Sequence, residues 1–318
     1  MTMRKLDRVI AAIDTSDGAG VRLRRSLGAR QGLRLDPFLM LDEFSSFDAN
    51  DYIAGFPAHP HRGFETVTYM LDGHMRHEDH LGNRGELKSG GVQWMTAGRG
   101  IIHSEMPQQQ SGRMRGFQLW INLPANEKMK PAGYRDIPAS EIPALEPAAG
   151  VRVKVVAGAV DDRGARHEGP VNGAREKLAT DPLYLDVELA PGARFVQPVD
   201  PGYAAYAYVF EGSMRVGDDE NGLLRVHHGG VLGAGDRIEL VGGPDGGRAL
   251  LLAGKPLREP VVQYGPFVMN SREEIQQAFV DYQRTQFGGW PWPTPDPVHA
   301  VDAGRFATRP DGASERRG

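Results

Sequence analysis

The segment FPAHPHRGFETVTYMLDG, residues 56–73, decides how this chain is read. It places His59 and His61 at i, i+2 spacing, among Phe, Val, Thr and Tyr residues that favour strand. Side chains alternate across a strand, so both imidazoles point to one face. A second segment, IIHSEMP at 101–107, repeats the device with His103 and Glu105. If the two strands lie side by side in a closed barrel, three imidazoles and one carboxylate converge on its interior. Such donors suit a divalent transition metal with positions left for water, substrate or oxygen. Burying these groups unpaired would be costly, and an ion removes that cost.

Composition narrows the remaining options. The chain has 318 residues, enough for one large domain or two ordinary ones. Its net charge of −4 and its lack of a long Lys/Arg run give no reason to expect nucleic acid or an anionic membrane as partner. There is no cysteine, which excludes disulfides, thiolate catalysis, zinc ribbons and iron–sulfur clusters. No apolar run is long enough for a signal peptide or a spanning helix, so a soluble, cytoplasmic protein is expected. The 41 glycines and 23 prolines imply many tight turns and therefore many short strands.

The order of elements along the chain supports an all-β fold. ETVTYML (65–71), GELKSGGVQWMTAG (85–98) and RGFQLWINLP (115–124) read as strands, the first ending on an Asp72-Gly73 turn. A proline-rich stretch at 131–147 reads as a connector, after which VRVKVVAGAV (151–160) and LYLDVELAPG (183–192) return to strand. An ungapped shift of about 139 residues, tested as for any internal repeat, superposes Tyr69–Gly73 on Tyr208–Gly212 and Gly90–Val92 on Gly229–Val231. It carries His59, His61, His103 and Glu105 onto Pro198, Asp200, Gly242 and Pro244, so the second copy is expected to lack a metal site. Ser271 and Glu274 form a capping box ahead of a helical stripe of Ile275, Ala278, Phe279 and Tyr282, stopped by Gly288-Gly289. The expected division is a metal-binding barrel at 1–135 and a second barrel at 136–290 with a closing helix at 272–287. A weakly ordered tail is expected at 291–318.

Other residues receive plainer readings. His74, His77 and His80 are expected in a solvated turn after Gly73. Adjacent His227 and His228 face opposite sides of a strand and share no ligand role. Glu65 is assigned to the second layer around the metal or to the outer face. Gln118 is a candidate inward polar neighbour. Phe38, Phe44, Phe56, Trp94 and Trp120 read as core aromatics that could also line an aromatic pocket.

With the segments at 35–44, 56–73, 77–107, 116–124 and 264–292 taken together, the chain resembles the pirin family of the cupin superfamily. The resemblance implies a bicupin: two face-to-face jelly-roll-like barrels, with one metal in the N-terminal barrel held by His59, His61, His103 and Glu105. It implies Fe(II) as the ion, with Ni, Co, Mn or Zn as alternatives. The implied activity is that of a quercetin 2,3-dioxygenase, an oxidoreductase acting on a flavonol, with Glu105 also serving as base. The alternative is a metal- and redox-dependent regulator working through a protein partner, as a transcription coregulator or a modulator of a metabolic enzyme.

Overall fold

The computed structural model describes residues 1–29, 33–217 and 222–291, with the backbone alone at 305–308 and 314–317. The architecture is all-β, with a single α-helix among the described residues, at Arg272–Thr285. Contacts divide the chain into two compact units. One comprises Met1–Ile13, Ser26–Phe38 and Ser140–Leu257, the other Asp14–Arg25, Leu39–Ala139 and Arg258–Gly318. A single cut at 135/136 does not describe this grouping, because both chain ends are exchanged. The N-terminal strand Leu6–Ala11 pairs antiparallel with His228–Leu232. The helix expected in the C-terminal barrel belongs to the unit that carries His59, His61 and His103. The stretch at 131–147 is not a bare connector: Gly133–Ile137 pairs with Val92–Thr96, and Ala144–Ala148 pairs with Val151–Ala157.

The unit holding the histidines is built from a six-stranded and a seven-stranded sheet. Its chain passes repeatedly from one sheet to the other. Phe56–His61, His74–Asp79, Arg84–Lys88 and Ile101–Pro107 lie in the six-stranded sheet, while Phe64–Asp72, Val92–Thr96 and Met114–Asn122 lie in the seven-stranded one. Such switching is how a double-sheet jelly roll encloses an interior. Glycines make two of the corners next to the site. Gly63 has φ +90°, and a Cβ there would lie 2.0 Å from the Val268 carbonyl oxygen, so no other residue fits. Gly73, at φ +119°, is the corner after Asp72, where the chain changes sheets instead of turning back as a hairpin.

The other unit is a nine-stranded sheet built around two long strands, Ala204–Val216 and Arg237–Gly254, with register shifts near Glu211 and Gly212. Its interior is aliphatic, including Val155, Leu185, Ala207, Met214, Leu240 and Leu251. The ungapped repeat does not run through the whole unit, because Pro198 pairs with Arg237 and not with Gly242.

The helix begins as its sequence suggests. The Ser271 hydroxyl accepts from the Glu274 N–H at 3.1 Å, and the Glu274 carboxylate accepts from the Ser271 N–H at 3.0 Å. Ile275 and Ala278 pack on Phe267 and Met269, and a 3-10 turn at Gln286–Gly288 follows the helix. The tail from 291 falls largely outside the described residues.

Candidate metal centre

The two ligand-bearing strands are neighbours. Ile101–Pro107 runs antiparallel to Phe56–His61, with His103 opposite His59 and Ile101 opposite His61. Directly opposed residues share a face, so the spacing seen in the sequence brings the three imidazoles together. Their ring centroids are 4.4 to 5.0 Å apart. Their ligand nitrogens lie within 4.8 Å of one another, which makes them the one such group of three among the described residues. His61 and His103 are buried, and His59 keeps partial exposure.

Hydrogen bonding decides which nitrogens face inward. His59 Nδ1 lies 2.7 Å from the Pro57 carbonyl and His61 Nδ1 lies 3.4 Å from the Pro266 carbonyl. A carbonyl only accepts, so both Nδ1 atoms carry the proton and both Nε2 atoms are bare. Those bare atoms stand 3.0 Å apart. His103 Nε2 is buried with no hydrogen-bond partner among the described residues. Two lone pairs facing at that distance repel, and an unpaired buried acceptor is costly. A cation satisfies all three nitrogens. Burial first, and then the neighbouring imidazoles, hold the His61 and His103 pKa values well below the ordinary range. Burial also lowers that of His59, against the opposing pull of the Pro57 carbonyl and the Glu105 charge. Neutral imidazole is the form that binds a metal. The donor set therefore fits a divalent transition ion.

Glu105 shares this interior but does not join the close trio. Its Oε1 accepts from the Thr68 hydroxyl at 2.9 Å and its Oε2 from Gln118 Nε2 at 3.0 Å. Gln118 Oε1 accepts in turn from Trp120 Nε1 at 3.4 Å. Gln118 and Thr68 are register partners on the seven-stranded sheet, so that sheet grips the carboxylate of the opposite one. Phe64 and Trp120 stand at 4.2 Å centroid separation and each ring lies 5.1 Å from His61, forming an apolar wall with Leu39, Met40 and Val268.

The C-terminal segment completes the site, which sequence patterning did not reveal. Besides the Pro266 carbonyl on His61, the Val268 N–H donates to the Arg62 carbonyl at 3.0 Å. Lys128 Nζ, buried, donates to the Gly63 carbonyl (2.7 Å), Asn122 Oδ1 (2.6 Å) and the Val268 carbonyl (3.1 Å). Arg62 donates to Asp281 of the helix at 2.8 Å and lies over the Phe287 ring. Backbone carbonyls leave no side-chain signature, and so they went unseen.

Three plainer readings are now settled by position. Glu65 faces outward and is buried; its Oε1 accepts from the Thr96 hydroxyl at 2.7 Å. His227 and His228 lie in the other unit and outside the close trio, but not as strand neighbours: His227 sits in a turn at φ +59° and only His228 belongs to the strand His228–Leu232. The solvated turn expected for His74, His77 and His80 is corrected. After the Gly73 corner the chain re-enters the six-stranded sheet at His74, so His74 and His77 lie on opposite faces of a strand. His77 is 1% exposed and packs on His103, His80 is also buried, and His74 bonds to Glu86.

Comparison with known proteins gives a consistent result. The model of the family described as Pirin matches residues 20–121, and that of the Pirin C-terminal cupin domain matches 184–288. A Pseudomonas aeruginosa protein named "Putative quercetin 2,3-dioxygenase" is 57% identical, covering 84% of this chain and 92% of its own length. Human pirin is 42% identical, covering 90% of this chain and 94% of its own. Among solved structures, a quercetin 2,3-dioxygenase from Acinetobacter baumannii aligns at TM-score 0.80 and 32% identity, covering 91% of this chain and 99% of that one. These neighbours are two-domain cupins.

Proposed function

This chain belongs to the pirin family, and from that premise we propose that it is a metal-dependent flavonol dioxygenase of the quercetin 2,3-dioxygenase type. In this reading His59, His61, His103 and Glu105 hold one divalent ion, iron before nickel, cobalt, manganese or zinc. The observation that carries it is the convergence of three bare imidazole nitrogens, two of them 3.0 Å apart. The names of the Pseudomonas and Acinetobacter relatives support the substrate class.

A bound ion would supply Lewis acidity toward the flavonol 3-oxygen and electron exchange with dioxygen. The protein's own residues do the rest. Glu105, held between Thr68 and Gln118, accepts the 3-hydroxyl proton as the substrate seats. The apolar wall of Phe64 and Trp120 receives a flat aromatic ring and excludes water around His61. Dioxygen enters the heterocycle, the ring opens to a depside, and carbon monoxide leaves.

The test is anaerobic mixing of iron-loaded protein with quercetin, followed by oxygen. Depside and carbon monoxide in equal amounts are expected. Tight metal binding with neither product would remove the dioxygenase reading and favour the regulatory alternative acting through a protein partner.

A further inference from the structure

The carbonyls of Pro57 and Pro266 orient His59 and His61, but among the described residues no backbone group orients His103. Its Nδ1 instead faces Nδ1 of another buried histidine, His77, at 3.4 Å. His77 lies on the strand next to that of His103, and its Nε2 is 3.4 Å from Asp79 Oδ2. We propose that Asp79 and His77 form a positioning relay that fixes His103 as its Nδ1–H tautomer and thereby turns its bare Nε2 toward the metal.

The direction of each bond follows from the fixed end. Asp79 is fully buried. Its Oδ1 accepts from the Leu81 N–H at 2.9 Å and the Asn83 N–H at 3.0 Å, and its Oδ2 accepts from Asn83 Nδ2 at 2.8 Å. A carboxylate surrounded by donors is an acceptor only, so His77 Nε2 must carry the proton. With its single N–H given to Asp79 in this arrangement, His77 presents a bare Nδ1. The facing His103 Nδ1 must then donate, and the remaining nitrogen, His103 Nε2, is the buried atom with no hydrogen-bond partner among the described residues. The polarity thus runs from backbone amides through Asp79 and His77 to the ligand. A carboxylate behind an imidazole also raises the basicity of the ligand it supports.

Packing holds the relay in place. His77 stacks on Tyr134 at 4.0 Å between centroids and 10° between planes. Gly85 lies opposite His77 in register, and a Cβ there would sit 1.7 Å from the Tyr134 hydroxyl oxygen. Only the absence of a side chain at 85 lets the tyrosine cover the imidazole. His77 therefore cannot rotate away from His103 without displacing Tyr134.

The relay derives its purpose from the metal-centre reading, but its tautomer content can be measured separately. The experiment is long-range proton–nitrogen correlation on metal-free, nitrogen-15-labelled protein, paired with nickel(II) affinity by chelator competition. Wild type is expected to show His103 protonated at Nδ1. His77→Phe keeps a ring on Tyr134 but removes the acceptor; His103 should then mix tautomers, and nickel affinity should fall by about 10- to 100-fold. His77→Gln offers a carbonyl to His103 and an amide to Asp79, and should recover part of that loss. His103 protonated at Nε2 in wild type would overturn the relay, as would unchanged tautomer and affinity in His77→Phe. Failure of wild type to bind nickel would count against the metal centre, while the tautomer still decides the relay. If the variants unfold, the wild-type tautomer alone decides it.

Discussion

Lys128→Met isolates the contribution of the C-terminal segment to the metal site. Lys128 is 1% exposed and its ammonium donates to three oxygens, two of which are the backbone carbonyls of Gly63 and Val268. Burial, partly offset by the Glu259 and Glu274 charges, pushes its pKa down to about 8. At about 1.4 kcal/mol per unit, keeping the charge buried costs roughly 3 kcal/mol. Three charge-assisted hydrogen bonds return about 1.5–3 kcal/mol each. Methionine removes both contributions, and the bonds win: a net loss of about 1.5–6 kcal/mol is expected. Denaturant titration at pH 7 measures it. The pH dependence gives a second readout. The folded state sheds this proton near 8 and the unfolded chain near 10.5, so between those values the unfolded chain binds more protons and wild-type stability rises with pH. That full contribution is lost as pH falls through 8, and the methionine variant should lack the rise altogether. An unchanged midpoint, or an identical pH profile, would refute the view that Lys128 clamps Val268 to Gly63.

Thr68→Val together with Gln118→Leu should leave the fold intact and weaken metal binding by about 10- to 100-fold, since both donors to Glu105 are lost; chelator competition checks this. Glu86→Gln tests an acid-sensitive contact on the outer face. Burial opposes its ionisation, but hydrogen bonds from His74 and Arg76 prevail and bring its pKa down to about 2. Its contribution, at most about 3 kcal/mol, is complete above 4.5 and fades as pH falls toward 2. Wild type and variant should therefore converge in acid melts. Gly63→Ala should cost about 2 kcal/mol or more through its positive φ and its clash with Val268, as thermal unfolding will show.

The parts of this site that were legible in the sequence are those that depend on alternation. His59, His61 and His103 could be read because i, i+2 spacing fixes a face and strand adjacency needs only one register. The helix was legible because its capping box is local. His77 and Asp79 were missed because HMRHED carries polar residues on both faces. Burial there follows ion pairing and hydrogen bonding, not apolar alternation, and Gly73 read as a turn when it is a corner between sheets. Pro57 and Pro266 contribute carbonyls, which no residue pattern records. The exchange of chain ends rests on pairings such as Leu6 with Leu232, whose long sequence separation local patterning cannot see.

Metal content per chain, determined on freshly purified protein alongside His61→Ala and His103→Ala, bears on the account most directly. About one transition ion per wild-type chain is expected, with little or none in either variant although both stay folded. Equal metal in all three proteins, or none in any after exposure to iron and nickel, would mean that the three inward-facing nitrogens serve some other end.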